Sequence, residues 1–99
     1  MYTLVERRTI NHERLHETVQ RAQSAFFPAM QQAHGFVSFY LVTDEETGIN
    51  TAISVWESKA HAEAFDPEAA SWLRTLDELG HTLQSNNRGE TVIELTRHT

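Results

Sequence analysis

Between Gly35 and Phe65 the chain reads GFVSFYLVTDEETGINTAISVWESKAHAEAF, and no other stretch restricts the fold as strongly. Residues 36–42 are rich in aromatic and β-branched side chains, which suit a pleated surface. Taken with period two, Phe36, Ser38, Tyr40 and Val42 share one face, and Val37, Phe39 and Leu41 the other. Both faces are apolar, so this strand needs a cover on each side. The acidic run from Asp44 ends in Gly48, which marks a turn. A return strand follows over residues 49–56, with Ile53 and Val55 on one face and Ala52, Ser54 and Trp56 on the other. Helices can cover one side of such a hairpin. A second copy of the chain is the expected cover for the other.

The remaining elements fall around the hairpin. Residues 2–8 form a strand pattern. Asn11 is placed to cap a helix whose apolar stripe runs through Leu15, Val19, Ala22, Phe26, Met30 and Ala33. Pro28 interrupts that stripe, so a kink or two successive helices are expected. Ser58 caps a short helical turn to Phe65, and Asp66-Pro67-Glu68 signals a fresh helix start. The stripe Ala69, Trp72, Leu73, Leu76 and Leu79 then runs to Gly80. Residues 85–90 read as a polar loop and residues 91–97 as the last strand. The order is β-α-β-β-α-β: an α+β, ferredoxin-like plait with an antiparallel sheet.

Composition narrows the function. Ninety-nine residues suggest one domain over 1–99. A net charge of -6 without a basic stripe argues against nucleic acid. No apolar run approaches the roughly 20 residues of a membrane span, and the first ten residues read as a strand rather than a signal peptide. The absence of cysteine fits a reducing cytoplasm.

The order of elements, the broken first helix, Gly35 before the second strand and the run Ser54-Val55-Trp56-Glu57-Ser58 resemble the dimeric α+β barrel superfamily. Within it, the pattern is similar to the antibiotic biosynthesis monooxygenase domain, over nearly the whole chain. The resemblance implies a homodimeric barrel with a pocket between sheet and helices in each subunit. It also implies oxidation of a small aromatic or quinol-type substrate by molecular oxygen, without a cofactor. Two readings stand beside that one: a binding module holding an aromatic or hydrophobic ligand without turnover, and haem binding. Quinol-oxidising relatives often carry histidine nine residues after the signature tryptophan, where this chain has Phe65. The haem-degrading pattern fails at Arg7, Phe65 and Thr75, where asparagine, tryptophan and histidine are expected.

The candidate residues follow from that pocket. His61 and His34 are the candidate catalytic bases, because histidine titrates near neutrality. Trp56, Phe65, Trp72, Phe26 and Phe39 are candidates for an aromatic lining, and Arg7 for a polar contact. Arg7 and Arg8 alternate across the first strand, so one of them points inward and needs a partner or an anion. Glu6 and Glu94 are the candidate partners. His12 and His16 share a helix face, but spacing specifies no third ligand, so no metal site is expected. His81 and His98 are expected at the surface.

Overall fold

The computed structural model describes residues 1–97. Four strands, β1 (Tyr2–Thr9), β2 (Phe36–Asp44), β3 (Ile49–Trp56) and β4 (Thr82–Glu90), make one antiparallel sheet in the order β2-β3-β1-β4. Helices α1 (Leu15–Arg21), α2 (Phe27–Gln32) and α3 (Lys59–Glu78) complete the ferredoxin-like plait. They pack on the sheet face that carries Tyr2, Leu4, Phe39 and Trp56. The core is small: Tyr2, Met30, Trp56, Ala62 and Phe65 are buried together, with partly buried phenylalanines around them.

The opposite sheet face is open. Alternation puts Thr3, Val5 and Arg7 of β1 there, with Ile49, Ile53 and Val55 of β3. Tyr40 and Val42 of β2 join them and are 58% and 53% exposed. This is the second apolar face of the hairpin, and nothing within the described chain covers it.

The interruption expected at Pro28 is present as a π-helical turn, Ala22–Phe26, between α1 and α2. Proline has no N–H to donate and its ring crowds the preceding turn, and the widened turn accommodates both. Ser58 caps α3 as expected: its hydroxyl accepts from the His61 N–H at 3.2 Å. Asn11 makes no side-chain cap on the segment that follows it. Its Nδ2 donates instead to the Leu79 carbonyl at 2.9 Å, satisfying the far end of α3.

Two expectations are corrected. Asp66-Pro67-Glu68 does not start a new helix, because α3 runs unbroken over 20 residues with Pro67 inside. Phe65 and Trp72, on either side of the proline, both pack against Phe26, and that tertiary packing outweighs one lost backbone bond. Asp66 is held by Arg88, at 3.0 and 3.1 Å, and does not act as a cap. The second correction concerns the last strand. It is Thr82–Glu90, whereas residues 91–97 have no regular secondary structure. Residues 85–90 look like a loop because they are polar. They form an edge strand in which backbone pairing to β1 supplies the order and polar side chains meet solvent.

Gly80 closes α3. At φ +87° it permits a double C-terminal turn: its own N–H bonds the Asp77 carbonyl and the His81 N–H bonds the Leu76 carbonyl, both at 3.0 Å. That turn directs His81 back toward β1 and α1.

Candidate functional site

Between the helices and the covered face of the sheet lies a cavity of about 380 Å³. Its walls follow from two periodicities. Leu4, Glu6 and Arg8 of β1 alternate inward, as do Asn50, Ala52, Ser54 and Trp56 of β3. Ala69, Trp72, Leu73 and Leu76 face them from α3 at helical spacing.

One wall is aromatic. Phe26 stacks on Trp72, with ring centroids 5.1 Å apart and planes 11° from parallel. Phe65 bridges Phe26 at 5.9 Å and Trp56 at 5.1 Å. Phe27 and Phe39 pair at 5.3 Å. The indole N–H of Trp56 is satisfied by the Ser54 hydroxyl at 3.2 Å. The five aromatic candidates, Trp56, Phe65, Trp72, Phe26 and Phe39, are thus brought together on this cavity.

The other end is polar and centres on Arg8, which is 5% exposed. Its Nε donates to Glu6 Oε1 at 2.6 Å. Its Nη1 donates to Asp77 Oδ1 at 2.7 Å and to the His81 carbonyl at 2.9 Å. Burial disfavours the guanidinium's charge. Hydrogen bonds and charge from Asp77 and Glu6 outweigh it, and the pKa rises above its ordinary value. With two carboxylates on one guanidinium, Arg8 has little net attraction left for an anionic ligand. Of the two candidate partners Glu6 is used; Asp77 takes the place foreseen for Glu94.

His81 lies beside it and is 1% exposed, not at the surface. Its Nδ1 accepts the Asn11 N–H at 3.0 Å, which leaves the proton on Nε2 to be donated to Thr18 Oγ1 at 2.6 Å. The Thr18 hydroxyl in turn donates a hydrogen bond to the Arg14 carbonyl at 2.7 Å. Burial lowers the His81 pKa, and the charges of Arg8 and Arg14 lower it further. His81 is a neutral imidazole with both nitrogens engaged. His98 lies outside the described residues.

Asn50 is the exception among these satisfied groups. It stands opposite Arg8 in the β1–β3 register. Its Oδ1 is buried and has no hydrogen-bond partner in the protein, and the residue is one of those lining the cavity. Buried acceptors are nearly always satisfied, so this side-chain carbonyl stands out among the described residues.

The other candidates lie off the cavity wall. His34 is exposed in the turn before β2. His61 is half-buried; its Nδ1 is 2.7 Å from Ser58 Oγ, and its ring covers Gly35. Arg7 is exposed on the open face of the sheet, and the inward arginine is Arg8. Arg8, Glu6, Asn50 and His81 were missed as site residues. For three of them the strand phase of Leu4 and Trp56 carried the signal; for His81 there was none. Among the described residues no group of three or more histidines, cysteines or carboxylates is disposed to hold a metal ion. Among the described residues no helix is long and apolar enough to cross a membrane.

Fold and cavity together define an α+β plait with an aromatic chamber between its sheet and its helices. In its particulars the fold is that of antibiotic biosynthesis monooxygenase-type proteins. A Deinococcus radiodurans protein assigned as such a monooxygenase is 14% identical, with a TM-score of 0.79 over 100% of both chains. A variant of SnoaB, a cofactor-independent oxygenase from Streptomyces nogalater, is 16% identical, with a TM-score of 0.73 over 97% of each chain. A dimeric ferredoxin-like protein from an uncultured marine organism is 16% identical, with a TM-score of 0.67 over 97% of this chain and 98% of that one. No protein-family model and no curated protein matches the chain.

Proposed function

We propose that this protein binds a flat, hydroxylated aromatic molecule in the chamber and oxidises it with molecular oxygen, without a cofactor. The observation that carries the reading is the pairing of an aromatic wall with one vacant acceptor, Asn50 Oδ1, in about 380 Å³. That volume falls within the range of small-molecule sites. The aromatic wall offers a surface against which a planar ligand packs, and the Asn50 carbonyl is an acceptor for a phenolic hydroxyl. The cofactor-independent oxygenase of the same fold supports the chemistry. In that chemistry a ring CH2 of the substrate's keto form becomes C=O. One atom of O2 enters the product, and the other leaves as water with the two hydrogens. The substrate supplies all four electrons.

A second reading, binding without turnover, is favoured by one specific observation. His81 is the histidine on the cavity wall, and both of its nitrogens are engaged. The same engagement withholds it from a haem iron.

We also propose a homodimer in which two open sheet faces pack together. The apolar face of β3 and β2 supports this, as does the dimeric protein of the same fold.

One titration separates the readings. Trp56 and Trp72 are the only tryptophans and both line the cavity, so their fluorescence reports occupancy. Quenching by a naphthol or anthrol, with one O2 consumed per product, supports the oxygenase. Quenching without oxygen uptake leaves the binding module. No quenching across such a panel overturns both.

A further inference from the structure

We propose that Glu6 is the base of the oxidation, its Oε2 taking the proton from the substrate's ring CH2. This rests on the oxygenase reading above and supplies a proton acceptor that His34 and His61, off the cavity wall, do not. Among the described residues five titratable side chains line the cavity: Glu6, Arg8, Asp66, His81 and Arg88. The two arginines are cations. Both oxygens of Asp66 accept from Arg88, at 3.0 and 3.1 Å. Both nitrogens of His81 are engaged. Glu6 Oε1 accepts from Arg8 Nε at 2.6 Å, whereas Oε2 accepts from none of the described residues. Of these groups, Glu6 is thus the one with an oxygen open to a substrate proton.

The ladder gives that oxygen its setting. Glu6 shares the inward phase of Leu4 and Arg8, and its side chain is 16% exposed. Its partner across the β1–β3 pair is Ala52, the smallest inward side chain of β3, which leaves room beside the carboxylate. Asn50, opposite Arg8, is its diagonal neighbour, and side chains so related can meet one small molecule together. In the step itself the substrate's C–H bond breaks and an O–H bond forms at Oε2. The electron pair stays on the substrate as an enolate, the electron-rich form that dioxygen oxidises. The proton then leaves with the water made from the second oxygen atom. Charge follows the same course. Arg8 first faces two carboxylates, Glu6 at 2.6 Å and Asp77 at 2.7 Å. Once Glu6 is neutral, Asp77 remains, and the enolate replaces the negative charge that Glu6 has lost. The guanidinium stabilises the new anion without moving.

The test compares the full chain with E6Q, using anthrone as the probe. Glutamine keeps the shape and an acceptor for Arg8 Nε, and circular dichroism checks the fold. Three quantities are read. Tryptophan quenching gives the affinity. Proton NMR in D2O under argon gives the rate at which the anthrone CH2 takes up deuterium above the buffer rate. Oxygen uptake in air gives turnover. E6Q should bind anthrone as the parent does and lose about 100-fold or more in both rates. An E6Q protein as fast as the parent in both overturns the role of Glu6 and leaves the oxygenase standing. Equal losses in affinity and rate mark a structural role and overturn the proposal. A parent that binds anthrone, yet neither exchanges its hydrogens nor takes up oxygen, overturns both the base and the oxygenase. If E6Q fails to fold, E6D replaces it, keeping the charge beside Arg8 and drawing the oxygen back by one methylene. E6D should lose about tenfold or more in exchange rate; at the parental rate it overturns the proposal.

Discussion

Asn50 and Arg8 face each other across the β1–β3 ladder at the polar end of the cavity; every bond the structure gives Arg8 is to protein, whereas the Asn50 carbonyl oxygen has none. The asymmetry leads to the first prediction. Leaving a buried acceptor unsatisfied costs about 1–3 kcal/mol. Asn50→Leu removes the acceptor, so the unliganded protein should be as stable as the parent or more so in a urea melt. The same variant should bind a naphthol no better than naphthalene, whereas the parent should prefer the naphthol about tenfold, one hydrogen bond's worth. Equal preference in parent and variant would remove Asn50 from ligand recognition.

Arg8 should behave in the opposite way. Its side chain is 7% exposed and that of its partner Glu6 16%. Arg8→Ala leaves a largely buried carboxylate without its cation, and the expected loss is about 3–5 kcal/mol of unfolding free energy. Replacing the pair together, as R8M/E6L, should recover the larger part, since a buried ion pair and a well-packed apolar pair are of similar worth. Chemical denaturation of the parent, the single and the double variant decides this.

His81 makes stability depend on pH in a definable window. Its folded pKa lies below the ordinary 6.5 because burial, Arg8 and Arg14 all disfavour the imidazolium. Above about pH 6.5 both folded and unfolded forms are neutral here, and the group adds no pH dependence. As pH falls through 6.5, the unfolded chain takes up a proton that the folded chain refuses, so stability declines. Thermal midpoints at about pH 7.5 and about pH 5.5 should therefore fall further apart in the parent than in His81→Gln, which does not titrate.

Gly35 is held in two ways. Its φ is +79°, and an added Cβ would overlap the ring of His61. Gly35→Ala should cost more than the 1–2 kcal/mol that φ alone imposes. The pair G35A/H61A should regain the steric part and keep the backbone part. Full recovery in the pair, measured by urea unfolding, would show that φ at this position carries no strain.

The hairpin was legible because its side chains are those of a pleated, packed surface, and the phase of Trp56 names the inward residues of β3. The Ser58 cap and the break at Pro28 were legible because each depends on a single local backbone rule. The last strand was not. Residues 85–90 carry little that distinguishes an edge strand from a loop, and β1 decides the matter through its ladder. Residues 91–97 have the stronger strand pattern and no strand within reach. Pro67 misled for the converse reason, since its local signal to begin a helix was overruled by aromatic packing on both sides of it. At the cavity, the aromatic lining was an expectation carried by the family resemblance, and the structure brings those five rings together. The inward arginine is Arg8 and not the candidate Arg7, because Arg8 shares the strand phase of Leu4. His81 carried no such mark, because its burial depends on Asn11 and Thr18, which lie far off in sequence.

That distance has a kinetic consequence. The bonds joining Arg8 to Asp77 and the His81 carbonyl, Asn11 to Leu79 and His81, and Thr18 to His81 all span 63 to 73 residues. The β2–β3 hairpin, by contrast, closes across a short turn at Gly48. Contacts between distant segments bear their loop-closure entropy before they return any stabilisation, so they form late. The aromatic wall and the hairpin can assemble while the polar end is still unmade. The polar end around Arg8 and His81 is thus the last part of the chamber to close.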